Sequence, residues 1–231
     1  GCYSQLSPDS VQKLGADVVY GTADRVKLVE AIEKAAATGE GERRLDKPFE
    51  RHIFEELPAG AVSGHTRALL KIQDGCINFC SYCIIPYTRG RVRSLPMDSA
   101  VQQAAELDRK GYRELVLTGI EIASYGVDLP EKPDLADVVC AVAKAAPHMR
   151  LRLGSIEPSI INEEFCAKLA SCGSVCRHFH FSLQSGCDAT LKAMNRKYDT
   201  ARFYEAMQLL RKHFPDCGLT CDVIVGFPGE S

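Results

Sequence analysis

Hydrophobic positions repeat in a regular order beyond about residue 66 of the 231-residue chain. A short, nearly continuous apolar run is followed each time by a stretch with apolar residues at every third or fourth position. The first kind of run is typical of a strand buried on both faces, and the second is typical of an amphipathic helix. Strands are therefore predicted over 67–72, 114–119, 151–156, 178–183 and 219–227. Helices are predicted over 97–111, 134–147, 162–172 and 200–214.

This alternation of strands and helices predicts an α/β domain built from parallel βα units. Two architectures fit the pattern, a doubly wound sheet and a partial (β/α) barrel. In both, the loops that follow the carboxyl ends of the strands form the functional face. Candidate chemistry is therefore expected in the segments directly after each strand.

The first 40 residues follow a different pattern. A short buried strand is predicted over 16–21 and a helix over 24–37, with Asp24 as the N-terminal cap of the helix. The apolar residues that share one face of this helix are Val26, Val29, Ile32 and Ala36. Between 41 and 65, Gly, Pro and charged residues replace the periodicity, which predicts a linker. We therefore expect the end of one α/β domain over 1–40, a linker, and a second domain over 66–231.

Composition and charge limit the possible functions. A formal net charge of -2 and a pI near 6.3 give no overall attraction for nucleic acid, so any such binding is expected to be local or supplied by another part of the protein. The sequence contains neither an apolar run of membrane-spanning length nor a signal-peptide pattern, so we expect a cytoplasmic protein without membrane association. Because the chain starts at Gly1 without a methionine and stops at Ser231 just after a predicted strand, we expect it to be cut at both ends.

Three cysteines lie close together directly after the first strand of the second domain. The stretch "GCINFCSYC" contains Cys76, Cys80 and Cys83 and supplies no fourth thiol. Clustered thiolates favour zinc, copper or iron–sulfur clusters. A closed zinc site needs four ligands, which a distant residue such as His65 would have to complete. A 4Fe-4S cluster held by three thiolates instead leaves one iron free to bind a small molecule.

The remaining cysteines are not expected to bind this metal. The sequence has eleven cysteines, and this odd number argues against a complete disulfide framework. Cys140, Cys166 and Cys221 lie among apolar residues of periodic segments, which predicts packing as small hydrophobic side chains. The remaining candidates lie away from the predicted functional face: Cys172, Cys176 and Cys217.

The segment "CINFCSYC" resembles the C-x3-C-x-aromatic-C signature of the radical S-adenosylmethionine enzymes, with Tyr82 at the aromatic position. In that family the open iron of the cluster chelates S-adenosylmethionine, and an electron from the cluster cleaves it to a 5′-deoxyadenosyl radical. The resemblance implies a partial (β/α) barrel of the radical S-adenosylmethionine type. It also implies cofactor contacts at the strand ends and nearby, from Thr118, Gly119, Ser155, Glu157, His180, Ser182, Gln184 and Arg196.

Longer segments narrow the resemblance to the radical methylthiotransferases. These segments are "KIQDGC", "CSYCIIPYTRGRVRS", "LTGIEIASYG", "HFSLQSG", "MNRKY" and "IVGFPGES". That family holds a second 4Fe-4S cluster with three cysteines of an N-terminal domain. Cys2 in "GCYSQ" matches the third of these ligands, so the other two are expected before residue 1. The last strand of the barrel and the C-terminal RNA-binding (TRAM) domain of the family are expected beyond residue 231.

Within that family the likeness is greatest to the enzymes that methylthiolate N6-threonylcarbamoyladenosine beside the transfer-RNA anticodon. The resemblance implies that S-adenosylmethionine supplies both the methyl group and the radical, and that an electron donor such as flavodoxin or ferredoxin reduces the cluster. No side chain is assigned as a general acid or base. One residue departs from the family pattern, because Ile77 stands where the family often has Asn and Asn78 follows it.

Alternatives remain open at this stage. One alternative function is a methylthiotransferase that acts on isopentenyladenosine in transfer RNA or on an aspartate of a ribosomal protein. An alternative from another class is a non-catalytic zinc-binding module.

The roles of several basic residues also remain open. Arg89, Arg91 and Arg93 alternate in sequence, which fits either contacts to phosphates or a solvated loop. Arg196 fits a cofactor contact or a surface salt bridge. His178 and His180 share one side of a strand, where His180 is the better candidate for the cofactor side and packing is the alternative for both.

Overall fold

The computed structural model describes residues 1–59 and 64–230. Its strands are β1 (Val18–Tyr20), β2 (Glu42–Arg44), β3 (Arg67–Lys71), β4 (Gln73–Asp74), β5 (Arg93–Ser94), β6 (Glu114–Thr118), β7 (Arg150–Leu153), β8 (His178–Gln184) and β9 (Gly218–Val223). Its helices are α1 (Cys2–Leu6), α2 (Pro8–Gln12), α3 (Arg25–Thr38), α4 (Ile85–Arg89), α5 (Met97–Arg109), α6 (Leu135–Ala145), α7 (Glu163–Ser171), α8 (Asp188–Ala193) and α9 (Thr200–His213). All five predicted strands of the second domain and all four predicted helices are present.

The five long strands lie side by side in chain order. β6 pairs in parallel with β3 and β7, and β8 pairs in parallel with β9. Parallel bridges Leu151↔Val175 and Ile156↔Phe181 join the two sets, so the order is β3-β6-β7-β8-β9. A doubly wound sheet reverses its strand order near the middle, whereas a barrel keeps each strand beside its chain neighbour. This order confirms the partial (β/α) barrel.

One face of this sheet carries the hydrophobic core. The side chains of Leu115, Leu151 and Phe179 are fully buried there, beneath the layer formed by α5, α6, α7 and α9. The opposite face carries polar side chains in register across β7, β8 and β9. On this face Arg152 Nη1 lies 2.8 Å from His178 Nδ1, and His178 Nε2 lies 3.1 Å from Thr220 Oγ1. Within the described residues, no helix combines the length and the apolar character that crossing a bilayer would require.

The N-terminal part differs from its prediction in two respects. β2 forms inside the predicted linker and pairs in parallel with β1. Its three residues are all exposed, so no apolar alternation marks this strand in the sequence. Asp24 does not cap α3 through its side chain, because its backbone is left-handed at φ 58° and its carboxylate accepts a hydrogen bond from Arg44 Nε at 2.9 Å. Residues 60–63 of the predicted linker, like Ser231, lie outside the described residues.

The apolar face predicted for α3 is not part of the core. The four residues predicted to form this face lie on the exposed side of α3: Val26, Val29, Ile32 and Ala36. The residue of α3 that is buried is Ala31. The exposed fractions of the larger three are 60% for Val26, 54% for Val29 and 50% for Ile32.

The buried side chain of Asp74, near the end of β3, forms ion pairs with three basic side chains. The carboxylate of Asp74 accepts ion pairs from Lys71 at 2.5 Å, Arg89 at 3.3 Å and Arg93 at 3.5 Å. Burial opposes ionisation of this carboxyl, but the three cations outweigh it and hold the pKa of Asp74 below its usual value. The alternative of a solvated loop is therefore wrong for Arg89 and Arg93, whose charges pair with Asp74 inside the protein, while Arg91 is exposed. Contact of this segment with phosphates stays a prediction.

The first prediction concerns this ion-pair cluster. Replacing Asp74 with Ala is expected to lower the free energy of unfolding by about 3 kcal/mol, because Arg93 then remains buried without its counter-charge. Asp74→Asn keeps the side-chain oxygen that accepts from the Gly75 amide and isolates the loss of charge. Urea unfolding at pH 7 measures both changes.

The matched control is Asp9→Asn, which removes one charge of the surface ion pair with Arg43, where the Asp9 side chain is 78% exposed. Because the folded pKa of Asp74 is lowered, its stabilisation is present above about pH 4 and disappears as the pH falls through the folded value. Equal changes in the Asp74 and Asp9 variants at pH 7 would contradict the prediction.

Candidate metal centre and cofactor site

The three-cysteine stretch forms a loop at the carboxyl end of the β3–β4 edge, here called the cluster loop, Gly75–Cys83. The loop leaves β4 through Gly75 at φ +76°, where a Cβ atom would lie 1.9 Å from the carbonyl oxygen of Arg91. Only glycine fits that position. The amide of Cys76 then donates to the Gly90 carbonyl at 3.0 Å, which fixes the start of the loop.

All three thiols of the cluster loop are free. Cys76 Sγ accepts a hydrogen bond from the Asn78 amide at 3.4 Å, and Cys80 Sγ accepts one from Arg196 Nη1 at 3.2 Å. Burial raises the pKa of the Cys76 thiol to about 11. Three soft sulfurs on one loop, two of them already receiving N–H donors, are the ligand chemistry of an iron–sulfur cluster.

The geometry supports a mononuclear zinc site less well than an iron–sulfur cluster. Within residues 1–59 and 64–230, no three or more His, Cys, Asp or Glu side chains are grouped so that they could hold a single metal ion. His65, the fourth ligand considered for zinc, precedes β3, while the cluster loop follows it. The length of that strand, roughly 16 Å for five residues, separates the two ends.

The end of β6 lies directly beside the start of the cluster loop. Thr118 pairs with Lys71 of β3, and its carbonyl accepts from the Ile72 amide at 2.8 Å. A Cβ atom at Gly119 would lie 2.9 Å from the backbone of Gln73, so the two segments touch. Thr118 and Gly119 are therefore next to the loop, and their contact with the cofactor stays a prediction.

The buried side chain of Gln73 joins these two segments. Its Oε1 atom accepts from the amides of Ile120 at 3.0 Å and Glu121 at 2.8 Å. Its Nε2 atom donates to the Gly75 carbonyl at 2.7 Å. One amide thus holds the loop after β6 against the first residue of the cluster loop.

Two carboxylates face the thiols. Glu157, in the loop after β7, is buried, and its Oε2 atom accepts from Asn78 Nδ2 at 3.5 Å. Glu121, after β6, accepts from the amide of Ala123 at 3.1 Å. Burial raises the pKa of Glu121, and the charge of Glu157 adds to this shift. Sequence reasoning missed Glu121, although a carboxylate two residues beyond a strand on the functional face was a usable signal.

Arg196 lies at the centre of the site. Besides the thiol of Cys80, its guanidinium lies 3.9 Å from Glu157 Oε1 and donates to the Ser182 carbonyl at 3.3 Å. The guanidinium also lies 4.9 Å from the ring centroid of Tyr198. Its side chain is 8% exposed, so the alternative of a surface salt bridge is wrong.

The other predicted contacts are more dispersed. Tyr82 contacts the ring of Phe227 edge-on at 6.4 Å, so the cluster loop reaches the segment after β9. Gln184 is left-handed at φ 67°, at an irregularity in the β8–β9 pairing. Ser155 is exposed in the loop after β7. His180 lies within β8, four residues before its carboxyl end. Its ring nitrogens contact Thr220 Oγ1 at 2.9 Å and Asp222 Oδ2 at 3.2 Å.

Cys2 lies on the same side of the molecule as the end of the cluster loop. It begins α1, which packs against α4, and α4 begins two residues after Cys83. Thr22, beyond β1, donates from its hydroxyl to the carbonyl of Thr88 in α4 at 2.6 Å, which joins the N-terminal part to the same helix.

Two expectations for the remaining cysteines are wrong. Cys140 is not a free packing thiol, because it forms a disulfide with Cys172 between α6 and the end of α7, with Cα atoms 5.9 Å apart. Cys221 is exposed on β9, which has no strand on its outer side within the described residues. Cys166, Cys176 and Cys217 are buried and free.

Comparison with curated proteins gives relatives over the whole chain. The threonylcarbamoyladenosine tRNA methylthiotransferases MtaB of Bacillus subtilis and Thermotoga maritima are 38% and 37% identical to it. A tRNA-2-methylthio-N(6)-dimethylallyladenosine synthase of Syntrophomonas wolfei is 37% identical. Each match covers 100% of this chain and 51% or 52% of the relative. The chain therefore spans about half the length of the curated relatives it matches.

Solved structures share the fold at low sequence identity. The cobalamin-dependent S-adenosylmethionine radical enzyme OxsB matches 68% of this chain and 23% of its own, with a TM-score of 0.56 and 14% identity. The radical S-adenosylmethionine methyltransferase TsrM of Kitasatospora setae matches 68% and 29%, with a TM-score of 0.51 and 20% identity.

A family-wide comparison covers most of the barrel and the cluster loop. The model of the radical SAM superfamily matches residues 70–231, which include the cluster loop and the carboxyl ends of β3, β6, β7, β8 and β9. Together with the strand order and the three free thiols, this match shows that the chain belongs to the radical SAM superfamily.

Proposed function

We propose that this chain is the catalytic part of a transfer-RNA methylthiotransferase that uses a 4Fe-4S cluster and S-adenosylmethionine. The observation that carries the proposal is the cluster loop, which has three free thiols and contacts Glu157 through Asn78 and Arg196 through Cys80. Relatives of both named kinds are transfer-RNA methylthiotransferases by their names. The cytoplasm, where transfer RNA is modified, is the proposed location.

In this proposal Cys76, Cys80 and Cys83 hold the cluster. When bound, the cluster supplies the electron that cleaves S-adenosylmethionine, and the protein supplies binding and orientation. The segment Thr118–Gly119 and the side chains of Glu157 and Arg196 surround the cofactor. The remaining contacts proposed for the cofactor come from the strand ends: Tyr82, Ser155, Ser182 and Gln184.

His180 has a different role in this proposal. Both of its ring nitrogens already contact β9, through Thr220 and Asp222. The side chain therefore supports the wall of the cofactor site and positions β9. Contact between the imidazole and the cofactor would require breaking one of these two interactions.

The second cluster and the electron donor are also proposals. Cys2 supplies one ligand of an auxiliary 4Fe-4S cluster, and α1 carries it to the side of α4. When bound, that cluster would supply the place at which the sulfur to be transferred is held. A small electron-transfer protein of the flavodoxin or ferredoxin class reduces the clusters.

We propose N6-threonylcarbamoyladenosine as the nucleoside substrate. The segment "IEIASYG" differs from the isopentenyladenosine enzymes, which usually carry a Gln-Asn pair in their counterpart of this segment. The backbone amide of Glu121 in this segment donates to Gln73 Oε1 at 2.8 Å, and Gln73 Nε2 donates to the first residue of the cluster loop. The segment that differs between the two substrate groups is therefore next to the cluster loop, which supports the proposal.

The second prediction tests the cluster. After anaerobic reconstitution, the wild-type chain is expected to bind about four irons in the loop site, with matching sulfide. Electron paramagnetic resonance of the reduced protein is expected to change when S-adenosylmethionine is added. Cys80→Ala and Cys83→Ala are each expected to abolish this signal, while Cys176→Ala, at a buried free thiol outside the site, keeps it. If the protein instead contains zinc without sulfide and does not respond to S-adenosylmethionine, the proposed radical chemistry is wrong and the chain is a non-catalytic zinc-binding module.

The third prediction tests the substrate. Anticodon stem-loops that carry threonylcarbamoyladenosine are expected to stimulate release of 5′-deoxyadenosine by the reconstituted chain about tenfold more than stem-loops that carry isopentenyladenosine. A tenfold difference corresponds to roughly one well-placed hydrogen bond to the modified base. Unmodified stem-loops give the baseline. Equal stimulation by both modified RNAs, or a preference for isopentenyladenosine, would reject the substrate assignment and leave the cluster chemistry intact.

A further inference from the structure

The turn between α8 and α9 reaches back to the cluster loop from more than a hundred residues away in the chain. The amide of Ser81 donates to the carbonyl of Met194 at 3.0 Å. The side-chain amide of Asn195 donates to two carbonyls of the loop, those of Asn78 at 3.2 Å and Phe79 at 2.8 Å. The middle of the loop, between its first and second cysteines, is therefore held by the end of α8.

The two partners of this contact have unusual backbones. Phe79 has a φ of 49° and Asn195 a φ of 58°, both in the left-handed region. Asparagine adopts this conformation readily, whereas phenylalanine adopts it only at a steric cost between its Cβ atom and the backbone. Phe79 immediately precedes Cys80, so this backbone conformation sets the direction of the Cys80 side chain. The hydrogen bonds from Asn195 offset the cost on both sides of the strained residue.

The next residue of the turn contacts the ligand itself. Arg196 Nη1 donates to Cys80 Sγ at 3.2 Å, Nε donates to the hydroxyl of Tyr198 at 3.1 Å, and Nη2 donates to the carbonyl of Ser182 at 3.3 Å. The guanidinium also lies over the Tyr198 ring. Because these contacts hold the guanidinium, the N–H group that donates to Cys80 Sγ is fixed in place. A positive charge and an N–H donor at a ligand sulfur favour the reduced form of an iron–sulfur cluster, since reduction adds negative charge.

We propose that Asn195 and Arg196 are positioning residues for the three-cysteine cluster. Asn195 holds the loop backbone in the ligating conformation, and Arg196 raises the reduction potential of the cluster through the sulfur of Cys80. The inference rests on the cluster of the proposed function and does not depend on the RNA substrate.

The fourth prediction measures the potential. In a redox titration of the reconstituted chain followed by electron paramagnetic resonance, without S-adenosylmethionine, Arg196→Met is expected to shift the midpoint potential to a more negative value. Arg196→Lys keeps the charge but loses the fixed geometry, so an intermediate value is expected. The control, Arg211→Met, changes an exposed residue near the end of α9 and leaves the potential unchanged. A wild-type potential in the Arg196→Met protein would overturn the role of Arg196.

The fifth prediction measures retention of the cluster. Asn195→Gly keeps a residue that accepts the left-handed backbone but removes the amide, and Asn195→Asp turns the donor into an acceptor that faces two carbonyls. Both variants are expected to lose iron to a chelator about tenfold faster than wild type, with Asn195→Asp the faster of the two. Urea unfolding of the cluster-free proteins shows whether a general loss of stability contributes.

The outcomes separate the two proposals. If Asn195→Gly keeps its iron as well as wild type does, the backbone conformation alone is sufficient and the role of Asn195 is overturned. A wild-type chain that forms no cluster would overturn the proposed function and this inference together. A wild-type cluster with unaltered variants would overturn only the inference.

Discussion

The cluster loop and the segments that carry Thr118 and Glu157 lie at the carboxyl ends of the neighbouring parallel strands β3, β6 and β7, and this shared direction is the constraint on which the rest of the structure depends. Neighbouring strands lie about 4.8 Å apart, so segments that are far apart in the chain leave the sheet within contact distance of one another. Cys76, Thr118 and Glu157 meet at this edge for that reason. Reversal of a single strand would place its loop at the far end of the sheet and divide the site.

The strand order brings the cluster loop to the site, but it does not fix the loop's conformation. The loop is held separately at its base, where Asp74 is fixed by ion pairs and Gln73 by its side-chain amide. Its middle is held by Asn195. Anchoring at both places reduces the reorganisation that binding a rigid cluster would require, which is how a preorganised site keeps its ligands in position.

The periodic elements and the cysteine spacing could be predicted because each is encoded within a few adjacent residues. The five strands and their covering helices follow from apolar runs, and the three thiols lie within nine residues. The roles of Arg89 and Arg93 could not be predicted, because their partner Asp74 lies 15 and 19 positions earlier. β2 and α8 are too short for a periodic signal. The contact of Asn195 with the loop spans 116 residues, which no local pattern reports.

Charge balance at the site connects the structure with its proposed chemistry. In the proposed site, the thiolates of Cys76, Cys80 and Cys83 would surround the cluster with negative charge, which lowers its reduction potential. A low potential suits the reductive cleavage of a sulfonium, but the more negative it becomes, the harder the cluster is to reduce. As proposed, the buried guanidinium of Arg196 would oppose this shift at the sulfur of Cys80. The balance between the charge of the three thiolates and this guanidinium, which lies over the Tyr198 ring, would then set how far the potential falls.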